Sequence, residues 1–291
     1  MTWRTIVPPD VAAARAPGTD WAMVDCRFAL ADPERGERDY IYCHARGAVY
    51  AHLDRDLSGP VIPGRTGRHP LPDPVALAAT FGRLGIGPTT QVVAYDDAGG
   101  AFAARLWWLL RWLGHDAVAV LDGGWPAWLA AEGPTAAGVE SRPSAAFIPR
   151  IRPELVLDAA AVEAMRLDPR RRLLDARGAD RYRGENETID PVAGHIPGAV
   201  SAPFAANLGP DGRFKPAAEL RARYTELLAG VAPDGAVVYC GSGVTAAHDL
   251  VALAHAGLDG ARLYAGSWSE WITDPARAVG VGGADVFGAS M

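Results

Sequence analysis

Four short sequence patterns occur twice in this chain of 291 residues, in the same order each time. They are Asp-x-Arg, His-x-x-Gly-Ala-Val, an apolar run entering a Gly-containing loop, and Gly-x-Trp-x-x-Trp. The first copies begin at Asp25, His44, Asp96 and Gly123, and the second copies begin at Asp175, His195, Cys240 and Gly266. The offset between matched residues stays between 143 and 151, which is far too long for a solenoid repeat. The sequence therefore predicts two copies of one globular domain.

Short apolar runs alternate with helical patterns in both halves of the chain. The predicted strands are 22–24, 91–95, 117–121, 172–174, 236–239 and 261–264, and the predicted helices are 74–84, 101–113, 217–228 and 245–256. Such alternation is typical of a mainly parallel sheet with helices on both faces. We expect tandem α/β domains at 1–135 and 155–280, a linker at 136–154 and a tail at 281–291.

The composition excludes several functions. A formal charge of −6 argues against a general nucleic-acid binder and provides no polybasic membrane anchor. The most apolar helical candidate, at 101–113, is too short to span a bilayer. Three cysteines without paired spacing argue against both a disulfide framework and a cysteine-rich zinc site. We expect a cytoplasmic protein without nucleic-acid or membrane partners, and no metal or organic cofactor is implied.

Cys240 is the most reactive candidate. An apolar run, Ala236–Tyr239, leads into it, and the loop Gly241–Thr245 and an Ala-rich helical pattern follow. In this context main-chain N–H groups and the positive end of a helix dipole face the thiol and favour its ionised form. The equivalent residue of the first copy is Asp96, so we expect the first domain to be catalytically inactive.

These motifs together resemble the two-domain rhodanese family of sulfurtransferases. The resemblance covers nearly the whole chain and rests on the Cys-Gly-Ser-Gly-Val-Thr loop, the Gly194–Ala199 turn and the closing Gly266–Trp271 motif. The loop has the form associated with 3-mercaptopyruvate sulfurtransferases, whereas thiosulfate-preferring members tend to carry Arg and Lys in place of Gly241 and Ser242.

The resemblance implies a set of site residues. Cys240 is the expected nucleophile, and a relay of Ser242, His69 and Asp54 is expected to handle a proton. The expected donor-binding residues are Arg181 and the loop residues Gly241, Gly243, Val244 and Thr245. Mercaptopyruvate enzymes usually have a second arginine nine residues after the first, but this chain has Asp190 there. One carboxylate-binding arginine is therefore expected to be missing.

The predicted reaction is transfer of a sulfane sulfur through a Cys240 persulfide. The donor is 3-mercaptopyruvate or thiosulfate, a small anion, and the acceptor is cyanide or a thiol, including that of a thioredoxin-like protein. The alternative is a non-catalytic sulfur carrier or regulatory binding protein. A cysteine phosphatase is disfavoured, because the position of its phosphate-binding arginine is occupied by Ala246.

Overall fold

A computed structural model describes residues 2–16 and 18–283. The chain divides into two compact units that are not continuous in sequence. Unit 1 comprises residues up to Gly59, Leu71–Pro153 and Leu208–Phe214, and unit 2 comprises Pro60–Pro70, Glu154–Asn207 and the residues from Lys215 onward. The domain boundaries given above remain a prediction, and residues 284–291 of the expected tail lie outside the described residues.

Unit 1 contains a five-stranded parallel sheet and five helices in its described residues. Its elements are β1 (Ile6–Val7), α1 (Pro9–Arg15), β2 (Trp21–Asp25), α2 (Arg35–Tyr42), β3 (His44–Ala45), β4 (Val49–Tyr50), α3 (Pro74–Arg83), β5 (Gln91–Tyr95), α4 (Ala103–Trp112), β6 (Val118–Leu121), α5 (Gly124–Ala130) and β7 (Thr135–Ala136). The strand order is β1-β6-β5-β2-β4, and β3 pairs separately with β7 in antiparallel fashion.

Unit 2 repeats this arrangement. Its elements are β8 (Val156–Leu157), α6 (Ala159–Met165), β9 (Arg172–Asp175), α7 (Ala179–Arg183), β10 (Ala199–Ser201), α8 (Ala217–Leu228), β11 (Ala236–Tyr239), α9 (Thr245–His255), β12 (Arg262–Tyr264) and α10 (Ser267–Trp271). The strand order β10-β9-β11-β12-β8 matches that of unit 1 strand for strand, and every pair is parallel.

The predicted fold class is confirmed. Every residue of the central strands β5 and β11 is buried, and because successive side chains in a strand point to opposite faces, both faces of each sheet are covered. The predicted strands at 91–95 and 236–239 and the helix at 217–228 have the observed bounds. Among the described residues, no helix combines the length and apolarity needed to cross a membrane. The cytoplasmic location remains a prediction.

The histidines of the repeated turn play a structural role in both units. His44 Nδ1 lies 2.7 Å from the carbonyl oxygen of Tyr40, and His195 Nδ1 lies 2.8 Å from that of Tyr182. Each imidazole also stacks on the ring of the same tyrosine. Both histidines are fully buried. They anchor equivalent turns and are not candidates for catalysis.

Candidate active site

The site forms where β11 ends in unit 2. Cys240 follows the last strand residue, and α9 begins five residues later at Thr245. The main-chain N–H groups of Ser242 and Gly243 point at the Cys240 sulfur, with N–Sγ distances of 3.4 and 3.1 Å. Two donors and the N-terminal end of α9 therefore face this sulfur, a geometry that stabilises negative charge on it.

The loop closes tightly because Gly243 has no side chain. Its φ of +75° lies in the left-handed region, and a Cβ there would sit 2.3 Å from the carbonyl oxygen of Ala265. Val244, the last residue of the loop, is buried, and Thr245 is the first residue of α9. Cys240 itself is only 2% exposed, so its sulfur lies recessed within the loop.

The first turn of α10 holds the loop in place. Ser267 Oγ accepts a hydrogen bond from the Cys240 N–H at 3.1 Å and donates one to the carbonyl of Tyr264 at 2.9 Å. The N–H groups of Trp268 and Ser269 donate to the carbonyls of Cys240 and Gly241, each at 2.9 Å. Sequence reasoning missed Ser267. Its φ of +56° is an uncommon backbone conformation for a serine, and this strain has no local sequence signal.

A histidine contacts the loop serine. His69 Nδ1 lies 2.7 Å from Ser242 Oγ, and both residues are buried. His69 belongs to the segment Pro60–Pro70, which is part of unit 2 although it comes from the first half of the sequence. Asp54 lies in unit 1, where its N–H donates to His52 Nδ1 at 3.1 Å. Its place in a proton relay remains a prediction.

Arg181 lies at the mouth of the loop within an ion-pair network. Its Nε and Nη2 donate to the two carboxylate oxygens of Glu187 at 3.0 and 2.9 Å, and Nη2 also donates to Asp190 Oδ2 at 3.0 Å. The other carboxylate oxygen of Asp190 accepts a hydrogen bond from Arg68 Nη1. Burial raises the pKa of Asp190, while the two guanidinium groups oppose that rise.

Arg68 is the residue that sequence reasoning missed at this mouth. A Cβ placed on Gly241 would lie 2.7 Å from Arg68 Nη2 and 3.6 Å from Arg181 Nη2. Two guanidinium groups therefore border Gly241, the residue that follows Cys240. The available signal was the position of Arg68 directly before the predicted relay residue His69.

The remaining arginines of this region are structural. Arg177 forms a buried ion pair with Asp175, with Nη2 2.6 Å from Oδ2, and also donates to the carbonyl of Gly194. Arg183 pairs with Glu185 at the surface. Both guanidinium groups are therefore engaged in ion pairs with neighbouring carboxylates.

A buried polar cluster lies on the α9 side of the loop. Asn207 donates to Asp249 Oδ1 at 2.7 Å, and its own carbonyl oxygen accepts from Tyr224 and Arg223, each at 3.0 Å. Burial raises the pKa of Asp249 to about 7. This carboxyl group therefore titrates near neutral pH inside α9, the helix that follows the Cys240 loop.

Comparisons with known proteins agree with this architecture. The family model described as a rhodanese-like domain matches residues 9–131 and 158–274, one copy in each half of the chain. The predicted tandem duplication is thereby confirmed.

Named relatives match nearly the whole chain. A Pseudomonas aeruginosa protein named "Probable 3-mercaptopyruvate sulfurtransferase" is 54% identical over 271 residues, covering 93% of this chain and 95% of the relative. A Mycobacterium tuberculosis protein, provisionally named a thiosulfate sulfurtransferase, is 41% identical over 286 residues, covering 95% of this chain and 96% of the relative. The crystal structure of an Escherichia coli 3-mercaptopyruvate sulfurtransferase superposes with a TM-score of 0.79 at 32% identity, covering 93% of this chain and all of that one.

Proposed function

This chain belongs to the rhodanese family and is a sulfurtransferase, and from that premise we propose that it uses 3-mercaptopyruvate as donor and forms a persulfide on Cys240. The single observation that carries the proposal is the recessed Cys240 sulfur facing the N–H groups of Ser242 and Gly243. A sulfur in that position is activated as a nucleophile, and the same N–H groups stabilise the anionic persulfide.

In the first half-reaction, the Cys240 thiolate attacks the sulfur of 3-mercaptopyruvate. A sulfur–sulfur bond forms, the carbon–sulfur bond breaks, and its electron pair leaves on the methylene carbon as the enolate of pyruvate. The proton of the donor thiol ends on that carbon, which gives pyruvate and an anionic persulfide. No external oxidant or reductant is needed.

The pairing of Ser242 with His69 favours mercaptopyruvate over thiosulfate. Release of pyruvate requires a proton at carbon, and a serine–histidine pair 2.7 Å apart can hold and deliver one beside the sulfur. Release of sulfite from thiosulfate requires no such proton. The Pseudomonas aeruginosa relative, which is 54% identical, is named as a probable 3-mercaptopyruvate sulfurtransferase, and this supports the same donor.

In the second half-reaction, a nucleophilic acceptor removes the outer sulfur. Cyanide attacks it to give thiocyanate and the Cys240 thiolate. A thiolate acceptor, including that of a thioredoxin-like protein, gives its own persulfide and the same thiolate. Both reactions regenerate the enzyme.

Intact-mass spectrometry tests the proposal directly. The protein is mixed with 3-mercaptopyruvate without an acceptor, and we expect a mass increase of one sulfur atom that disappears when cyanide is added. The Cys240→Ser variant should show no increase. A wild-type protein that gains sulfur but releases none to cyanide or a thiol would instead identify a sulfur carrier.

The donor is tested by comparing kcat/KM for 3-mercaptopyruvate and thiosulfate with cyanide as the common acceptor. We expect mercaptopyruvate to be preferred. A clear preference for thiosulfate would contradict the proposed donor and leave the Cys240 chemistry intact.

A further inference from the structure

The two guanidinium groups at the loop mouth are joined by a single carboxylate. Asp190 accepts from Arg68 through one oxygen and from Arg181 through the other, which we call the Arg68–Asp190–Arg181 bridge. The Asp190 side chain is only 2% exposed, whereas those of Arg68 and Arg181 are 29% and 18% exposed. The carboxylate is therefore covered and the two cations remain open to a small solute.

The position of Arg68 is set by its neighbours. Its N–H donates to Ser269 Oγ at 3.1 Å, and the next residue, His69, contacts Ser242. Gly67 lies so close to α10 that a Cβ there would be 2.5 Å from the carbonyl oxygen of Gly266. Segment 60–70 is thus held against the loop on both sides of Arg68, and the guanidinium is directed to the mouth.

Arg68 has hydrogen-bonding capacity to spare. Its Nη1 is used by Asp190, while its Nη2 borders Gly241. Within the described part of the chain, its Nε is buried without a hydrogen-bond partner. A guanidinium with free donors beside the residue after the nucleophile fits a carboxylate ligand.

The charges of the mouth are balanced. Arg68 and Arg181 supply two positive charges, and Asp190 and Glu187 supply two negative ones. A bound monoanion leaves this cluster with one excess negative charge, whereas a dianion leaves it with two. Because the Asp190 carboxylate is buried, its repulsion of an approaching anion is weakly screened by solvent.

We propose that Arg68 is the second donor-binding cation of this enzyme and that Asp190 is a specificity-determining residue that disfavours dianionic donors. The proposal rests on the proposed function and deepens it. Arg68 takes the place of the arginine that the sequence lacks at position 190, and it arrives from a distant segment of the chain. Thiosulfate carries two negative charges and 3-mercaptopyruvate carries one on its carboxylate, so the carboxylate at 190 penalises thiosulfate more.

The test is a donor-specificity ratio measured in matched variants. Asp190→Asn removes one negative charge from the bridge, and Glu185→Gln removes one from the surface pair with Arg183 as a control. We expect Asp190→Asn to raise the ratio of thiosulfate to mercaptopyruvate kcat/KM about tenfold, and Glu185→Gln to change it less than about twofold. Equal ratios in the two variants would overturn the role of Asp190.

Arg68 is tested by Arg68→Gln. We expect the KM for mercaptopyruvate to rise about tenfold with kcat changed less than about threefold, because a binding contact is lost and the nucleophile is untouched. An unchanged KM in a variant with a wild-type thermal midpoint would overturn the assignment of Arg68.

A binding measurement separates this proposal from the proposed reaction. In the Cys240→Ser background no sulfur can be transferred, so dissociation constants for thiosulfate and pyruvate are measured by calorimetry with and without Asp190→Asn. We expect about tenfold tighter thiosulfate binding and a smaller change for pyruvate. This result would stand even if the wild-type enzyme used neither donor, and equal changes for both anions would contradict it.

Discussion

The loops that follow β5 and β11 differ in what occupies them. In unit 1 the Asp96 carboxylate accepts four main-chain N–H groups at 2.7–2.8 Å, from Ala98, Gly100, Phe102 and Ala103. In unit 2 the Cys240 sulfur accepts from two. The same strand–loop–helix turn therefore surrounds a buried carboxylate in unit 1 and the proposed nucleophile in unit 2.

The unit 1 loop shows that this turn can hold a carboxylate with no cysteine present. Asp96 is completely buried, and burial raises its pKa while the four hydrogen bonds favour the ionised form. The carboxylate is attached to the chain and cannot leave, so it fills the loop. The Cys240 sulfur accepts only two N–H groups, from Ser242 and Gly243. A thiolate at this position could still bind one further sulfur atom.

Removal of the proposed nucleophile should have the greatest effect on activity. Cys240→Ser should lower sulfur transfer at least a thousandfold, because a hydroxyl does not form a persulfide. Steady-state assays with cyanide provide the measurement. Cys43→Ser, which alters a partly exposed thiol of unit 1, is the control and should keep wild-type activity. Sulfur transfer near the wild-type rate in Cys240→Ser would show that Cys240 is not the nucleophile and that the two loops do not differ in this way.

The next effect concerns the stability of unit 1. Asp96→Ala leaves four main-chain N–H groups without their acceptor, two of them in buried hydrogen bonds, and we expect a loss of about 3–5 kcal/mol in the free energy of unfolding. Urea denaturation measures it. Any protein that remains folded should keep its kcat, and a parallel loss of kcat would contradict the view that Asp96 is a structural cap.

A sharper variant is Asp96→Cys, which places a thiol in the loop of unit 1. That thiol would have no equivalent of the Ser242–His69 pair within its loop, where the residue two positions on is Ala98. In the Cys240→Ser background we expect no measurable turnover of mercaptopyruvate. Turnover in this double variant would show that a cysteine in the strand–loop–helix turn is sufficient for catalysis without a serine–histidine pair.

The proton-handling pair should show an intermediate effect. Ser242→Ala removes the hydrogen bond to His69 and should lower kcat for mercaptopyruvate about a hundredfold. The thiosulfate reaction, which releases sulfite without a proton at carbon, should lose much less. Equal losses for both donors would instead indicate that Ser242 only shapes the loop.

A smaller effect is expected on the pH dependence of stability. It should distinguish α9, which follows the loop of unit 2, from α4, which follows the loop of unit 1. Unit 2 has buried Asp249 where unit 1 has buried Arg105. Because burial raises the folded-state pKa of Asp249 to about 7, its contribution to stability is complete below about pH 4 and is lost as pH rises towards 7.

We expect this group to lower the free energy of unfolding by about 2 kcal/mol between pH 5 and pH 7. Asp249→Asn keeps an acceptor for Asn207 and should remove that slope, as measured by urea titrations at several pH values. A wild-type slope retained in Asp249→Asn would mean that Asp249 does not control it.

The secondary structure could be predicted from the sequence, and Cys240 proposed as the nucleophile, because the signals for both are local. The strand Gln91–Tyr95 and the helix Ala217–Leu228 follow from apolar periodicity, and Cys240 stands out through its strand–loop–helix context. The duplication needs only the comparison of two segments of the same chain. These features depend on residues that are close in sequence, so they can be recognised without the three-dimensional structure.

The Arg68–Asp190–Arg181 bridge, by contrast, is visible only in the folded chain. Arg68 lies 122 positions before Asp190, whereas the expectation of a missing arginine rested on a spacing of nine residues after Arg181. Segment 60–70 can pack against α10 because Gly67 has no side chain. The Cys240 N–H is held by Ser267, whose backbone is strained. Contacts between distant segments form only when the sheet brings strand ends together, and no local pattern encodes which side chains then meet.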